Sequence, residues 1–361
     1  MPPSRPVRNP LPLMILIAAI AGAIALIFAW AAGLIGTARV SGISIANALQ
    51  NNTGKIFPGF RRAHTKGLCV TGYFEANGAG VPYSRAALFP VGRSSVIGRF
   101  STAGGVPTAP DGRNVFRGLG LRFALRDGEE WRMAIDHTPI FVVSNPADFQ
   151  AFQIASKPDP ATKKPDPAKI KAFLAAHPET QRFMDFMKSA PLPSSFANGT
   201  YYSINAFRFT NPNGQTRAVR WQFIPETPFA TLDKATLDRL PPDFLFDDLL
   251  ARIGKGPLKW HMVVVFANPG DPTNNATIPW TGPHRQVDVG TLVLDQAPTE
   301  EAGSCRDYTF DPLVLPKGVS GSDDPLLAAR SATYAASFRR RAIEGPHPDA
   351  ITLQQQRGGQ Q

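Results

Sequence analysis

From Leu13 to Ile35 no charged residue interrupts a run rich in Ala, Ile and Leu. A helix rises about 1.5 Å per residue, so about 20 residues cross a hydrocarbon core. The run therefore predicts a membrane-spanning helix. Arg5 and Arg8 precede it, and no further Lys or Arg occurs until Arg39. The positive-inside rule leaves such an N-terminus in the cytoplasm and exports the chain beyond the helix. A cleaved signal peptide competes, because Ala29-Trp30-Ala31 has the small-x-small form of a cleavage site. The apolar run exceeds the roughly 7–15 residues of a signal core, which favours an uncleaved anchor over 1–40.

Beyond the anchor the pattern changes. Residues 41–60 are a polar, Asn-rich lead-in. Residues 68–75, 132–143, 201–210, 218–225, 260–267 and 287–294 are rich in Val, Ile, Phe and Tyr with partial alternation, and predict strands. Asn211-Pro212-Asn213-Gly214 is a turn signal that makes 201–225 a β-hairpin. Residues 167–176 and 178–189 predict two helices, each opened by proline at the first helical position. Residues 231–253 predict a helical region broken by Pro241-Pro242, and 324–343 one long helix started by Asp323-Asp324-Pro325. The tail 345–361 is rich in Pro, Gln and Gly and predicts disorder. Strands first and helices second indicate an α+β fold around an antiparallel sheet, read as a barrel.

Composition narrows the picture. The 361 residues are 43% hydrophobic and 18% charged, with 31 Gly and 35 Pro, which excludes collagen-like and wholly disordered chains. Two cysteines, Cys69 and Cys305, are too few for a disulfide framework or a cysteine-built zinc site. One bridge between them stays open, with nothing local to support it. The net charge of +10 is spread thinly, its longest basic block being Arg339-Arg340-Arg341, so nucleic-acid binding is not expected. The six histidines form no HExxH or other paired metal spacing, and GxSxG and P-loop motifs are absent. Gly118-Leu119-Gly120 lacks the third glycine of a dinucleotide fingerprint.

An ordered set of motifs remains. Arg61-Arg62-Ala63-His64-Thr65-Lys66-Gly67 is followed by Gly98-Arg99-Phe100-Ser101-Thr102 and then by Phe116-Arg117-Gly118-Leu119-Gly120-Leu121-Arg122-Phe123. Asp136-His137-Thr138-Pro139-Ile140-Phe141 comes next, and Arg330-Ser331-Ala332-Thr333-Tyr334 stands near the C-terminus. This succession resembles the haem catalase superfamily, whose patterns run R-x-x-H-x-K-G, RFS, RGxxxKF, NNTPxFF and RxxxY. The hairpin at 201–225 and the segment 283–294 are also similar to catalase counterparts. The chain is shorter than ordinary catalases and looks like the compact catalase-related peroxidases, some of which carry an N-terminal membrane segment. The resemblance implies a catalase-like antiparallel β-barrel with associated helices over 41–344, and haem b as cofactor.

The residues support part of this on their own. Arg330 and Tyr334 lie four apart on a predicted helix and share a face, which Arg341 rejoins seven residues later. Tyrosine ligates iron as phenolate, its reference pKa is about 10, and a cation one turn away favours the anion. A packed core tyrosine is the competing reading of Tyr334. The resemblance makes Tyr334 the iron ligand, His64 the distal acid–base group and Ser101 the hydrogen-bond partner that orients it. It gives Arg61, Arg99 and Arg341 to the haem propionates, since arginine pairs bidentately with carboxylates. It places Phe141 and Phe149 on the wall of the distal pocket.

Some positions depart from the catalase pattern. Asp136 stands where catalases have an asparagine that donates a hydrogen bond to peroxide, and an ionised aspartate cannot donate. His137 comes directly after it, and on a strand only one of the two faces the haem. Ala63 replaces a crowding valine, which widens the pocket. Residues 192–198 lack the basic groups that hold NADPH in larger catalases, so NADPH is not expected. The expected function is haem-dependent reduction of hydrogen peroxide or organic peroxides by a small organic reductant, with weak catalase activity. A true catalase, a hydroperoxide-rearranging enzyme of the allene oxide synthase type and a non-catalytic haem sensor are the alternatives. The expected location is the cytoplasmic membrane with the catalytic domain exported, periplasmic in a Gram-negative bacterium.

Overall fold

The barrel arises from strands that bury alternate residues. In Glu130–Asp136, Trp131, Met133 and Ile135 are buried, while Arg132, Ala134 and Asp136 face the other side. A computed structural model describes residues 11–31, 40–113 and 116–351. Arg5, Arg8, Arg39, the end of the apolar run at 32–35 and the tail beyond 351 lie outside the described residues.

Residues 1–40 form one unit. Helix α1 (Leu11–Ala31) includes a 20-residue stretch, Leu11–Trp30, with a mean hydropathy of 2.7. It is long and apolar enough to cross a membrane, a test that a signal sequence also passes.

Residues 41–361 form the second unit. It opens with α2 (Gly42–Asn52), capped by Ser41, whose hydroxyl accepts from Ser44 N. Strands β1 (Gly67–Ala76), β2 (Gly92–Ser101), β3 (Gly118–Ala124) and β4 (Glu130–Asp136) make an antiparallel meander. After α3 (Pro146–Ala155), α4 (Pro167–Ala176) and α5 (Pro178–Ser189) come β5 (Tyr201–Tyr202), β6 (Phe207–Thr210) and β7 (Thr216–Pro225). The short α6 (Lys234–Leu237) and α7 (Phe244–Ile253) lead to β8 (Leu258–Phe266), β9 (Gln286–Gln296) and β10 (Val319–Gly321), and α8 (Pro325–Glu344) closes the order. The sheet runs β7-β5-β4-β3-β2-β1-β9-β8, and pairing of β8 back to β7 closes an eight-stranded antiparallel barrel. β6 and β10 extend it at one edge. Phe100, Phe123, Trp131, Trp221 and Trp260 fill the barrel interior.

Several elements differ from the sequence expectation. The strand expected over 132–143 ends at Asp136, because Thr138-Pro139 starts a turn and proline donates nothing to a ladder. The strand expected over 201–210 is interrupted at 203–206, where Ser203 and Asn205 bond locally and Ile204 takes φ +64°. The lead-in at 41–60 contains α2, and α3 was not foreseen. The expected tail is packed where it begins: Asp349, Ala350 and Ile351 are buried, and Asp349 Oδ2 accepts from Glu300 N at 2.7 Å. Cys69 on β1 and Cys305 form a disulfide with Cα atoms 5.5 Å apart.

Candidate active site

One cleft gathers residues from three parts of the chain. Its floor is the outward face of β3 and β4. Gly118 pairs with Asp136 and Gly120 with Ala134 in register, so that face is nearly bare of side chains. The bareness is required. A Cβ on Gly118 would lie 3.0 Å from the His64 ring, and one on Gly120 would lie 2.5 Å from the Phe310 ring. The two glycines let the His64 and Phe310 rings seat directly on the strand face. The cleft, mouth included, holds about 780 Å³ of empty space.

His64 sits at one wall in the left-handed region, at φ +53°, a conformation rare for a residue with a Cβ. Arg99 holds that bend: its guanidinium donates to His64 O at 2.6 Å and Thr65 O at 2.9 Å. His64 Nδ1 lies 3.1 Å from Ser101 Oγ. One ring edge borders the cleft, but the ring is deep in the protein. Burial pulls its pKa below the ordinary value; Asp136 opposes this, while Arg99, Arg330 and Arg61 add to it. The shift favours the neutral imidazole, the form that has a lone pair for a proton.

Helix α8 supplies another wall. Asp324 caps it, accepting from Leu326 N at 2.9 Å, and Pro325 occupies its first turn. Arg330, Tyr334, Ser337 and Arg341 recur on one face and line the cleft. Arg330 Nη2 lies 3.4 Å from Tyr334 Oη and donates to Ala134 O at 2.8 Å, tying the helix to the floor. Its other nitrogen donates to Asn205 Oδ1, and Asn205 Nδ2 donates to Asp324 Oδ2 at 2.8 Å. Burial works against the charge on Arg330, but Tyr334, Asp136 and Asp324 outweigh it and raise its pKa.

Arg61, Arg99 and Arg341 meet at one corner of the cleft. Burial lowers the pKa of Arg61 well below its usual value, with Arg341 and Arg99 adding to the effect; Glu300 offsets it in part. Arg341 is pushed down to about 10 by burial and by Arg99. Its Nε is buried without a hydrogen-bond partner. This corner is short of negative charge, and a carboxylate-bearing ligand would supply it. The tyrosine on one wall, His64 on another and the cationic corner between them fit an anionic, iron-bearing macrocycle.

The structure thus brings together His64, Ser101, Asp136, Arg61, Arg99, Arg330, Tyr334 and Arg341. Phe141 and Phe149, expected on the distal wall, lie in the chain beyond the end of β4. Because β4 stops at Asp136, the chain turns away, and the two rings stack on each other at 5.6 Å. They belong to an apolar cluster with α3 and α5. Asp136 lines the cleft, while His137 lies in a separate pocket with Phe186, Met187 and Tyr202. His137 Nδ1 accepts from Arg117 N at 3.1 Å, and burial together with Arg117 pushes its pKa down to about 4. Sequence reasoning missed Glu300, which pairs with Arg99, and also Asn205 and Phe310. Asp324 was visible only as a helix start.

Comparison with known proteins agrees with this geometry. The catalase family model matches residues 33–356. A catalase-related peroxidase of Synechococcus elongatus is 40% identical over 297 residues, covering 82% of this chain and 87% of the relative. One from Mycolicibacterium paratuberculosis is 30% identical, covering 80% and 91%. Among solved structures, a fungal catalase superposes with a TM-score of 0.72 at 23% identity, and catalase A of Saccharomyces cerevisiae with 0.71 at 22%. The chain covers 62% and 63% of those two catalases, and they match 82% of it.

Proposed function

The chain belongs to the catalase family, and we propose that within it this protein is a haem b peroxidase that reduces peroxide with a small organic donor. It is an oxidoreductase acting on peroxide. The observation that carries the reading is the pairing of Arg330 with Tyr334, one helical turn apart, in the same cleft as the neutral His64. Tyr334 would hold the iron through its phenolate oxygen, with Arg330 as the cation beside it. Arg61, Arg99 and Arg341 would hold the propionates. The haem, when bound, supplies the redox centre that takes up the oxidising equivalents of peroxide.

The protein's own groups handle protons and position. His64 lines the cleft with Nδ1 held by Ser101, which leaves Nε2 for the proton of a bound peroxide. It takes a proton from one peroxide oxygen and returns it to the other, which leaves as water. Two donor molecules then each give one electron and one proton, so that one peroxide becomes two waters. The test is to load the purified protein with haem and supply hydrogen peroxide with a phenolic donor. A tyrosinate-type spectrum and donor oxidation are expected. A chain that takes up no haem would defeat the reading.

Asp136 favours peroxidase over catalase turnover. Its side chain lacks the amide N–H that would donate where a second peroxide needs a donor. Asp136→Asn is expected to raise oxygen evolution from hydrogen peroxide about tenfold, the effect of about one well-placed hydrogen bond. An oxygen electrode measures this, and an unchanged rate would remove Asp136 from the reaction.

We also place the barrel outside the cytoplasm, held by α1 as a single span, on the apolar length of α1 and on Arg5 and Arg8. The disulfide fits an oxidising compartment. An alkaline phosphatase fused after Gln361 is expected to be active, and an inactive, intact fusion would contradict the orientation.

A further inference from the structure

We infer that the Cys69–Cys305 disulfide positions the arginine corner, so that it sets how tightly the protein grips the carboxylates of its cofactor. The inference rests on the reading of the cleft as a haem site. Cys305 lies in the single-turn segment Ser304–Asp307. That turn and its exit aim their carbonyls at the corner. Arg61 Nη2 donates to Cys305 O at 2.9 Å and Tyr308 O at 3.0 Å. Arg341 Nη1 donates to Arg306 O at 2.7 Å, and Arg61 reaches the same oxygen at 3.4 Å. One short segment thus fixes both guanidinium groups, and it uses only one nitrogen of each. Arg341 keeps its buried Nε unpartnered beside the cleft.

The turn packs against β1 and β2 through the buried Cys305. Its backbone bonds include Tyr308 N to Cys305 O at 3.4 Å and Gly303 N to Thr299 O at 2.7 Å. The disulfide is its covalent tie to the barrel. Cys69 stands directly opposite Arg99 in the β1–β2 register. The bridge therefore links the strand pair that carries Arg99 to the turn that holds Arg61 and Arg341. The approach is close: a Cβ on Gly303 would lie 2.8 Å from Cys69 Sγ. Both cysteines are fully buried against Phe310, which itself overlies Gly120 in the cleft. Without the bridge the turn keeps its packing but loses its covalent tie, and a shift of its carbonyls is expected to move the two arginines.

A general staple would affect any ligand, whereas a positioning device acts through the carboxylates alone. Wild type and Cys69→Ala/Cys305→Ala are each loaded with haem or with haem dimethyl ester, whose propionates carry no charge. Dissociation is followed by transfer to excess haem-free globin. Haem is expected to leave the double variant about tenfold faster than wild type, the loss of about one charge-assisted hydrogen bond. The ester is expected to leave both proteins at the same rate. Equal acceleration of both ligands, or of neither, would overturn the inference. A second readout uses no haem. The Nε–H resonances of Arg61 and Arg341 are expected to be separate and sharp in wild type and to broaden in the double variant, while that of Arg99, paired with Glu300, persists. Unchanged Arg61 and Arg341 signals would sink the inference even if the cleft proved to bind something other than haem. Should the double variant fail to fold, Gly303→Ala, which pushes the turn off Cys69, is expected to show the same contrast between haem and ester.

Discussion

Tyr334→Phe is expected to leave a folded barrel that has lost its haem, or holds it without the charge-transfer bands of a tyrosinate. The hydroxyl does no work for the fold. Tyr334 is only half-buried, and its oxygen meets Arg330 at 3.4 Å on the cleft side of α8. The helix is held elsewhere, by its Asp324 cap and by the buried Leu326, Leu327 and Ala336. Thermal unfolding of the haem-free variant should therefore match wild type within the ±0.5 kcal/mol or so typical of a change outside the core. Haem uptake should fall by orders of magnitude if, as proposed, the Tyr334 oxygen is what would hold the iron. Arg330→Leu should act more mildly in the same direction, since it removes the cation but leaves the ligand. Normal haem content with unchanged bands in Tyr334→Phe would reassign the ligand and leave Tyr334 as a packing residue.

The motif resemblance singled out Tyr334, and periodicity added only the shared helix face. Arg330, Tyr334 and Arg341 fall on one face of any helix drawn through them, and α8 spans Pro325–Glu344. The local signals that a short stretch of chain decides were equally readable: prolines opening α4 and α5, and Asn211–Gly214 closing the β6–β7 hairpin. Strands β2 and β3 were not read as strands, because glycine and arginine break the alternation. The reason lies in the site, since Gly118 and Gly120 leave the floor bare and Arg99 holds the His64 bend. Functional demand erased the pattern there. Glu300 was illegible for another reason. It reaches Arg99 across 201 positions of chain from a loop without period, and only the closed barrel brings the two together. Phe141 and Phe149 were placed by their motif, and beyond the turn after Asp136 they pack in the apolar cluster at α3.

His64→Ala is expected to keep haem but to slow the reaction with peroxide by about 10²–10⁴-fold, the contribution of a positioned acid–base group. Asp136 is the neighbouring carboxylate in the cleft, so the double variant with Asp136→Asn should be no faster than His64→Ala. His137 points into another pocket and is tied to Arg117, and Ser101 can bond His64 but is no base. Rapid mixing with peroxide measures the rate. An unchanged rate would remove the acid–base role from His64. The wild-type pH profile gives a second check with a definite sign. Burial, with Arg99, Arg330 and Arg61 behind it, lowers the pKa of His64 from 6.5, and Asp136 only partly opposes them. The folded protein thus keeps the imidazole neutral below the pH at which a free histidine becomes charged. The rate should stay level as pH falls through 6.5 and drop only below it. Asp136→Asn removes the one opposing charge, so in that variant the drop should move to still lower pH. A wild-type rate already halved at 6.5 would mean that the imidazole is not shielded as its surroundings require. A shift to higher pH in Asp136→Asn would mean that the carboxylate does not face His64.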